Sequence, residues 1–187
     1  MTTVLPILAM LLAPPAPKEQ DKPPPDVTYT VPAGWERVEQ DHVVVLTPPG
    51  TAAEKCSLVL TRGEKLKGEF PEWFDDRWDA LRKGAKVVQG GDRPAPREGP
   101  NGSSFIVRSA LLEAKKEGEE PRRTGLLLYA VHVGDAVHWV VFRTDGPALF
   151  NEHKKTVNRF LAGLQFYETT TEVRPAKPRP GGKGARN

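Results

Sequence analysis

The sequence predicts an α+β fold, a three-layer α/β/α sandwich around a central antiparallel sheet. Three observations carry that prediction. Phe105–Glu113, Gly125–Val133 and Val137–Arg143 are apolar stretches rich in β-branched and aromatic residues, spaced as a meander. The tight Gly134-Asp135 turn fixes a register in which both faces of the last hairpin are apolar, so both need a cover. Two helical patterns, one before the meander and one after it, supply the covers.

Taken in order, Thr28–Val31 reads as a strand running into the turn Pro32-Ala-Gly34. Glu36–Gln40 and His42–Thr47 read as a second and third strand, separated by Asp41. Pro48-Pro-Gly50 closes that group, and Cys56–Arg62 forms a fourth strand. Pro71 at the first helical position opens a helix that Gly84 can terminate. Its residues Phe74, Trp78, Leu81 and Ala85 recur at helical spacing and should face the core. Glu72, Asp75, Asp76 and Asp79 share a face roughly opposite, with Arg82 and Lys83 at the carboxyl end.

Gly90–Ser104 is rich in Gly and Pro, which predicts a short edge strand near Arg93–Arg97 and a turn through Gly99–Gly102. The meander follows, its first connection being the charged loop Lys115–Arg123. A two-residue turn pairs Val133 with Ala136, His132 with Val137 and Val131 with His138. One face then carries Leu126, Leu128, Ala130, His132, Val137, Trp139 and Val141. The other carries Leu127, Tyr129, Val131, Val133, His138, Val140 and Phe142. The last helix runs from Gly146-Pro147 to about Ala162 and stops at Gly163. Its apolar stripe is Phe150, His153, Val157, Phe160, Leu161 and Leu164.

At 187 residues the chain fits one domain, placed at 27–168. Residues 1–13 read as a secretory apolar run, 14–26 as a Pro-rich linker and 169–187 as a basic tail without apolar periodicity. The domain carries 20 Lys+Arg and 20 Asp+Glu, so the net charge of +3 comes from the tail. A basic groove for nucleic acid is therefore not expected. The run Met1–Ala13 is too short to span a bilayer, which takes roughly 20 apolar residues. No Lys or Arg precedes it, and Pro14 and Pro17 disfavour cleavage after Ala13 and Ala16. Export to the periplasm or beyond is the expectation, with the cytoplasm as the alternative if the run is not a signal.

Cys56 is the one cysteine, so an intramolecular disulfide and a Cys-based zinc site are excluded. Its apolar strand context predicts a buried structural thiol. His132 and His138 fall on opposite faces of the hairpin and cannot share a metal ion. His153 lies on an apolar helical stripe, as a hydrogen-bonded core histidine would. None of Ser57, Ser103, Ser104 and Ser109 sits in a Gly-x-Ser-x-Gly elbow, and Gly90-Gly91 fits no phosphate-binding spacing. Asn101-Gly-Ser103 is a glycosylation sequon in a surface turn.

The sequence thus nominates no catalytic residue, cofactor or metal ligand. It does nominate Trp73, Asp75, Asp76 and Asp79 as candidate partner-binding residues. An exposed Trp can anchor an interface, although stacking on Arg77 one turn later is the simpler explanation. The acidic face would suit a basic partner or a weakly held cation, but its composition is first explained by a solvated face favoured by the helix dipole.

The order of elements, together with Val31-Pro32, Gly34-Trp35, the Asn101-Gly102 turn and Leu161–Phe166, resembles the PsbP-like superfamily over residues 27–168. That superfamily includes the photosystem extrinsic protein PsbP, the Ran-binding nuclear import factor of yeast and bacterial DcrB-like exported proteins. The resemblance implies the α/β sandwich and a role in binding other proteins. Plant members support a manganese–calcium cluster, but no metal ligand carries over to this chain. Bacterial members are often lipoproteins, and the lack of a Cys after the apolar run departs from that pattern. The expected function is a non-enzymatic protein-binding or accessory module of the cell envelope. The alternatives are a hydrolase-type enzyme with scattered Asp, Glu, Arg and His in a loop-lined cleft, and a polyanion binder acting through the tail.

Overall fold

The central hairpin of the computed structural model pairs Val133 with Ala136, His132 with Val137 and Val131 with His138. This is the register a two-residue turn requires, and Gly134 makes the turn at φ 62°. The structure describes residues 27–40, 43–115 and 120–167. The expectations for 1–26 and 169–187, for Asp41 and His42, for the middle of the Lys115–Arg123 loop and for the Asn101 side chain lie outside the described residues.

The described chain runs β1 (Val27–Thr28), β2 (Glu36–Gln40), β3 (Val43–Thr47), β4 (Cys56–Thr61), β5 (Glu64–Lys65), α1 (Phe70–Leu81), β6 (Lys86–Gly90) and β7 (Arg97–Glu98). It continues through β8 (Ser104–Ala114), β9 (Arg122–Val133), β10 (Ala136–Asp145), α2 (Pro147–Ala162) and β11 (Gln165–Phe166). Among the described residues, nine strands form one antiparallel sheet in the order β2-β3-β4-β10-β9-β8-β6. Short β5 pairs with β10, and β7 with β8. The fold is α+β, with a helix on each face of the sheet.

Two apolar clusters separate along the alternation of the strands. Phe70, Phe74 and Trp78 of α1 pack on Ile106, Leu126, Leu128, Ala130, Val137 and Val141. Val157 and Phe160 of α2 pack on Leu46, Leu58, Leu60, Leu127, Val140 and Phe142. Each large apolar side chain taken fully from water contributes roughly 1.5–3 kcal/mol, so both layers are needed. Where α2 crosses β9, the fit depends on Gly125. A Cβ there would lie 2.5 Å from Phe150 Cδ2, so the missing side chain lets the first turns of α2 settle onto the strand.

Three expectations need correction. The edge strand is β6 at Lys86–Gly90, not Arg93–Arg97, of which only Arg97 pairs, in β7. Pro94 and Pro96 remove amide donors from the expected stretch, whereas Val87-Val88 suits a strand. A register shift between Val87 and Gln89 bulges β6, and such bulges blunt an exposed edge. The first strand is Val27–Thr28 rather than Thr28–Val31, and it pairs with β11 in a separate two-stranded sheet. Helix α1 starts at Phe70, which moves Pro71 to its second position and leaves Glu72 as the acidic residue of the first turn.

Candidate functional site

Glu64 reaches helix α1 because the chain resumes pairing on β10 directly after Gly63, with Glu64 opposite Val137. That register puts it on the α1 side of the sheet. Its Oε1 accepts a hydrogen bond from Trp73 Nε1 at 3.1 Å and from an Arg77 guanidinium nitrogen at 2.7 Å. Arg77 is also held between two rings, its Cζ 5.2 Å from the centre of Trp73 and 4.7 Å from that of Trp139. A guanidinium over an indole is attracted by the ring quadrupole, by about 0.5–1 kcal/mol at an exposed site and more when desolvated. Trp73 stacks further on Phe70, which meets His132 at 5.5 Å. The result is a row on one face: His132, Phe70, Trp73, Arg77 and Trp139. Trp73 and Trp139 are only half-buried, and the Arg77 and Glu64 side chains are 33% and 43% exposed.

Of the residues the sequence nominates, Trp73 lies in this row, stacked on Arg77. The four carboxylates of α1 do not form one free face. Asp75 turns to the opposite flank of the helix, 2.5 Å from Arg93 and 3.7 Å from Arg108. Asp79 pairs with Arg82 at 2.8 Å, and Asp76 is exposed. The helical stripe places Asp75 next to buried Trp78, and Arg108 draws it in. Arg108 spans the ring of Trp78 at 4.7 Å and donates to the Gly91 carbonyl through two nitrogens. Burial lowers the Arg108 pKa, and the Asp75 charge opposes that shift. This second cluster ties α1 to the β6–β7 connection.

The remaining candidates have structural settings. Cys56 is fully buried in the α2-side core, and burial, with Glu152 nearby, pushes its thiol up to about 11. A thiol so displaced is a poor nucleophile near neutral pH. His132 and His138 do lie on opposite faces, His132 beside Phe70 and His138 beside Phe166. His153 meets the ring of Trp35 edge-on at 5.6 Å, which seats the Gly34-Trp35 turn on α2. Among the described residues, no group of three or more His, Cys, Asp or Glu is placed to hold a metal ion. No helix among them is long and apolar enough to cross a membrane.

Nothing in the sequence joins Trp139 or Glu64 to Trp73. Trp139 was assignable to the right face by alternation, but Glu64 belongs to a two-residue strand too short to carry a pattern.

The solution structure of cyanobacterial PsbP (CyanoP) from Synechocystis sp. PCC 6803 superposes on this domain with a TM-score of 0.52. The match covers 76% of this chain and 87% of that one, at 11% identity. The fold is PsbP-like. No protein-family model matches the chain, and comparison with curated proteins finds no sequence match. At 11% identity the likeness speaks to the fold, and the resemblance expected from Gly34-Trp35 and Leu161–Phe166 holds at that level.

Proposed function

We propose that this domain is a non-enzymatic binding or accessory module that docks another protein on the Trp73–Arg77–Trp139 surface. The observation that carries the reading is Arg77, stacked between two half-buried tryptophans and neutralised by Glu64. Trp and Arg dominate interface hot spots because they bring large area together with directional polar edges. An Arg already fixed by stacking loses little further side-chain freedom on binding, which lowers the cost of association. Asp76, exposed on the same helix, favours a partner with basic residues near the anchor. The PsbP-like fold supports a binding role. The proposal extends to the cell envelope through the apolar run Met1–Ala13, which suits export.

A photo-crosslinking residue at exposed position 80, one turn after Arg77, compared with one at position 155 on α2, tests the docking surface in the producing cells. A discrete protein adduct from position 80, absent from 155 and lost on Arg77→Ala, is the expected result. Equal adducts from both positions, or adducts indifferent to Arg77→Ala, would refute it. Cell fractionation tests the compartment separately: retention in the cytoplasm removes export and leaves docking to stand or fall on the crosslinks.

A further inference from the structure

We propose that a small organic monoanion, a carboxylate bearing one compact apolar group, binds in a cavity between α2 and the β6–β8–β9 part of the sheet. This site lies on the opposite face from the Trp73 surface and does not depend on that reading. The cavity is about 270 Å³. Gly90, Ser109, Ala110 and Gly125 line its floor, although the Ala110 methyl faces α1 and Phe150 covers Gly125. Gln89 stands opposite Leu111, and Leu111 opposite Gly125, so two long side chains and a glycine follow one another across the three strands. Helix α2 supplies the other wall through Pro147, Phe150, Asn151 and Lys154, spaced along one stripe.

The polar groups of this cavity are uncommitted. Among the described residues, the side chains of Gln89, Ser109, Asn151 and Lys154 make no hydrogen bond or ion pair. The lining holds one cation and no carboxylate. The acids on its flank are already satisfied, Glu113 by Arg123 and Asp145 by Arg122, each at 3.1 Å. A single ammonium beside a hydroxyl and two carboxamides matches one carboxylate, whose oxygens accept from all four. Phe150, Leu111 and Pro147 give the apolar remainder of the ligand a surface. The volume sits just below the roughly 300–1,000 Å³ usual for small-molecule sites, which limits that remainder to one ring or a short branched chain.

The test is a ¹⁵N-detected NMR titration of the full chain with 3-phenylpropionate and with the neutral 3-phenylpropanol. The expected result is saturable shifts at the amides of Gln89, Gly90, Ser109, Gly125 and Asn151, with a Kd of about 1 mM or tighter. The alcohol should bind at least about tenfold more weakly, and Lys154→Met should cost a similar factor while the spectrum stays dispersed. Lys154 is exposed, so its replacement leaves the fold intact; Ser109→Leu, which fills the floor, should abolish the shifts. Shifts that do not saturate, that are equal for the alcohol, that survive both substitutions or that map to Trp73 would overturn the proposal.

Discussion

Gly125→Ala forces a methyl group into a contact that has no room for it. The new Cβ would stand 2.5 Å from Phe150 Cδ2, 2.8 Å from Phe150 Cβ and 2.6 Å from Thr144 Oγ1. Phe150 Cβ is tied to the helix backbone, so rotating the ring does not relieve the clash, and α2 itself must lift. Overpacking of this kind costs about 1–3 kcal/mol. Thr144 Oγ1 donates to the Gly146 carbonyl at 3.0 Å, just ahead of α2, and losing that bond adds about 1 kcal/mol. Alanine returns about 0.4–1 kcal/mol by restricting the unfolded chain. The net expectation is a loss of about 2 kcal/mol, which for a domain of this size lowers Tm by about 8 °C. Urea unfolding with an unchanged m-value measures it. Phe150→Leu should cost less in the Gly125→Ala background than in the native one, because the two positions share the contact. A loss below about 0.5 kcal/mol, or strict additivity of the two substitutions, would show that α2 is not seated on Gly125.

Four further outcomes concern the other clusters. Arg108→Met removes the fork on the Gly91 carbonyl and the stack on Trp78, and should cost about 1–3 kcal/mol in urea unfolding. Arg93→Ala, at the exposed end of the same network, should cost less than about 1 kcal/mol. Cys56 has a pKa raised by the fold from the ordinary 9.0 to about 11, so its stabilising contribution is complete below pH 9 and is lost as pH rises through about 11. Native stability minus that of Cys56→Ala should therefore fall over that window, and a flat difference would contradict the burial of the thiol. Asp145 is held below its usual pKa by the hydrogen bond from Arg122, which stabilises the fold above the ordinary carboxylate range. The deficit of Asp145→Asn at neutral pH should shrink as acid protonates the native carboxylate.

The parts of this fold that were readable in the sequence are those where one local rule settles the geometry. A two-residue turn with Gly134 leaves the β9–β10 hairpin a single register, and the two-sided apolar pattern then demands helices on both faces. Edge strand β6 escaped because its boundary glycines and the prolines after it read as loop, while its pairing partner β8 decides the matter from a distance. Helical spacing alone puts Asp75 on the acidic face, because it cannot anticipate Arg93 and Arg108 approaching from other elements. The Arg77 stack was half readable: Trp73 and Arg77 are one turn apart, but Trp139 and Glu64 meet them only after the sheet has closed. The cavity beneath α2 left no trace at all, since its lining comes together from three separate strands and a helix.

The pairing of β1 with β11 sets how the domain answers to mechanical load. Val27 faces Phe166 and Thr28 faces Gln165, so the two ends of the described body leave side by side, about 5 Å apart. A force separating them acts across the ladder and breaks its bonds one at a time, as a zipper opens, instead of shearing them together. This two-stranded clasp, with Phe166 packed on His138, takes the initial tension ahead of the nine-stranded sheet. The clasp should therefore yield first and at low force, with the sandwich behind it still folded. The same adjacency means that a short linker from Tyr167 to Val27 would close the body into a ring without bending either helix.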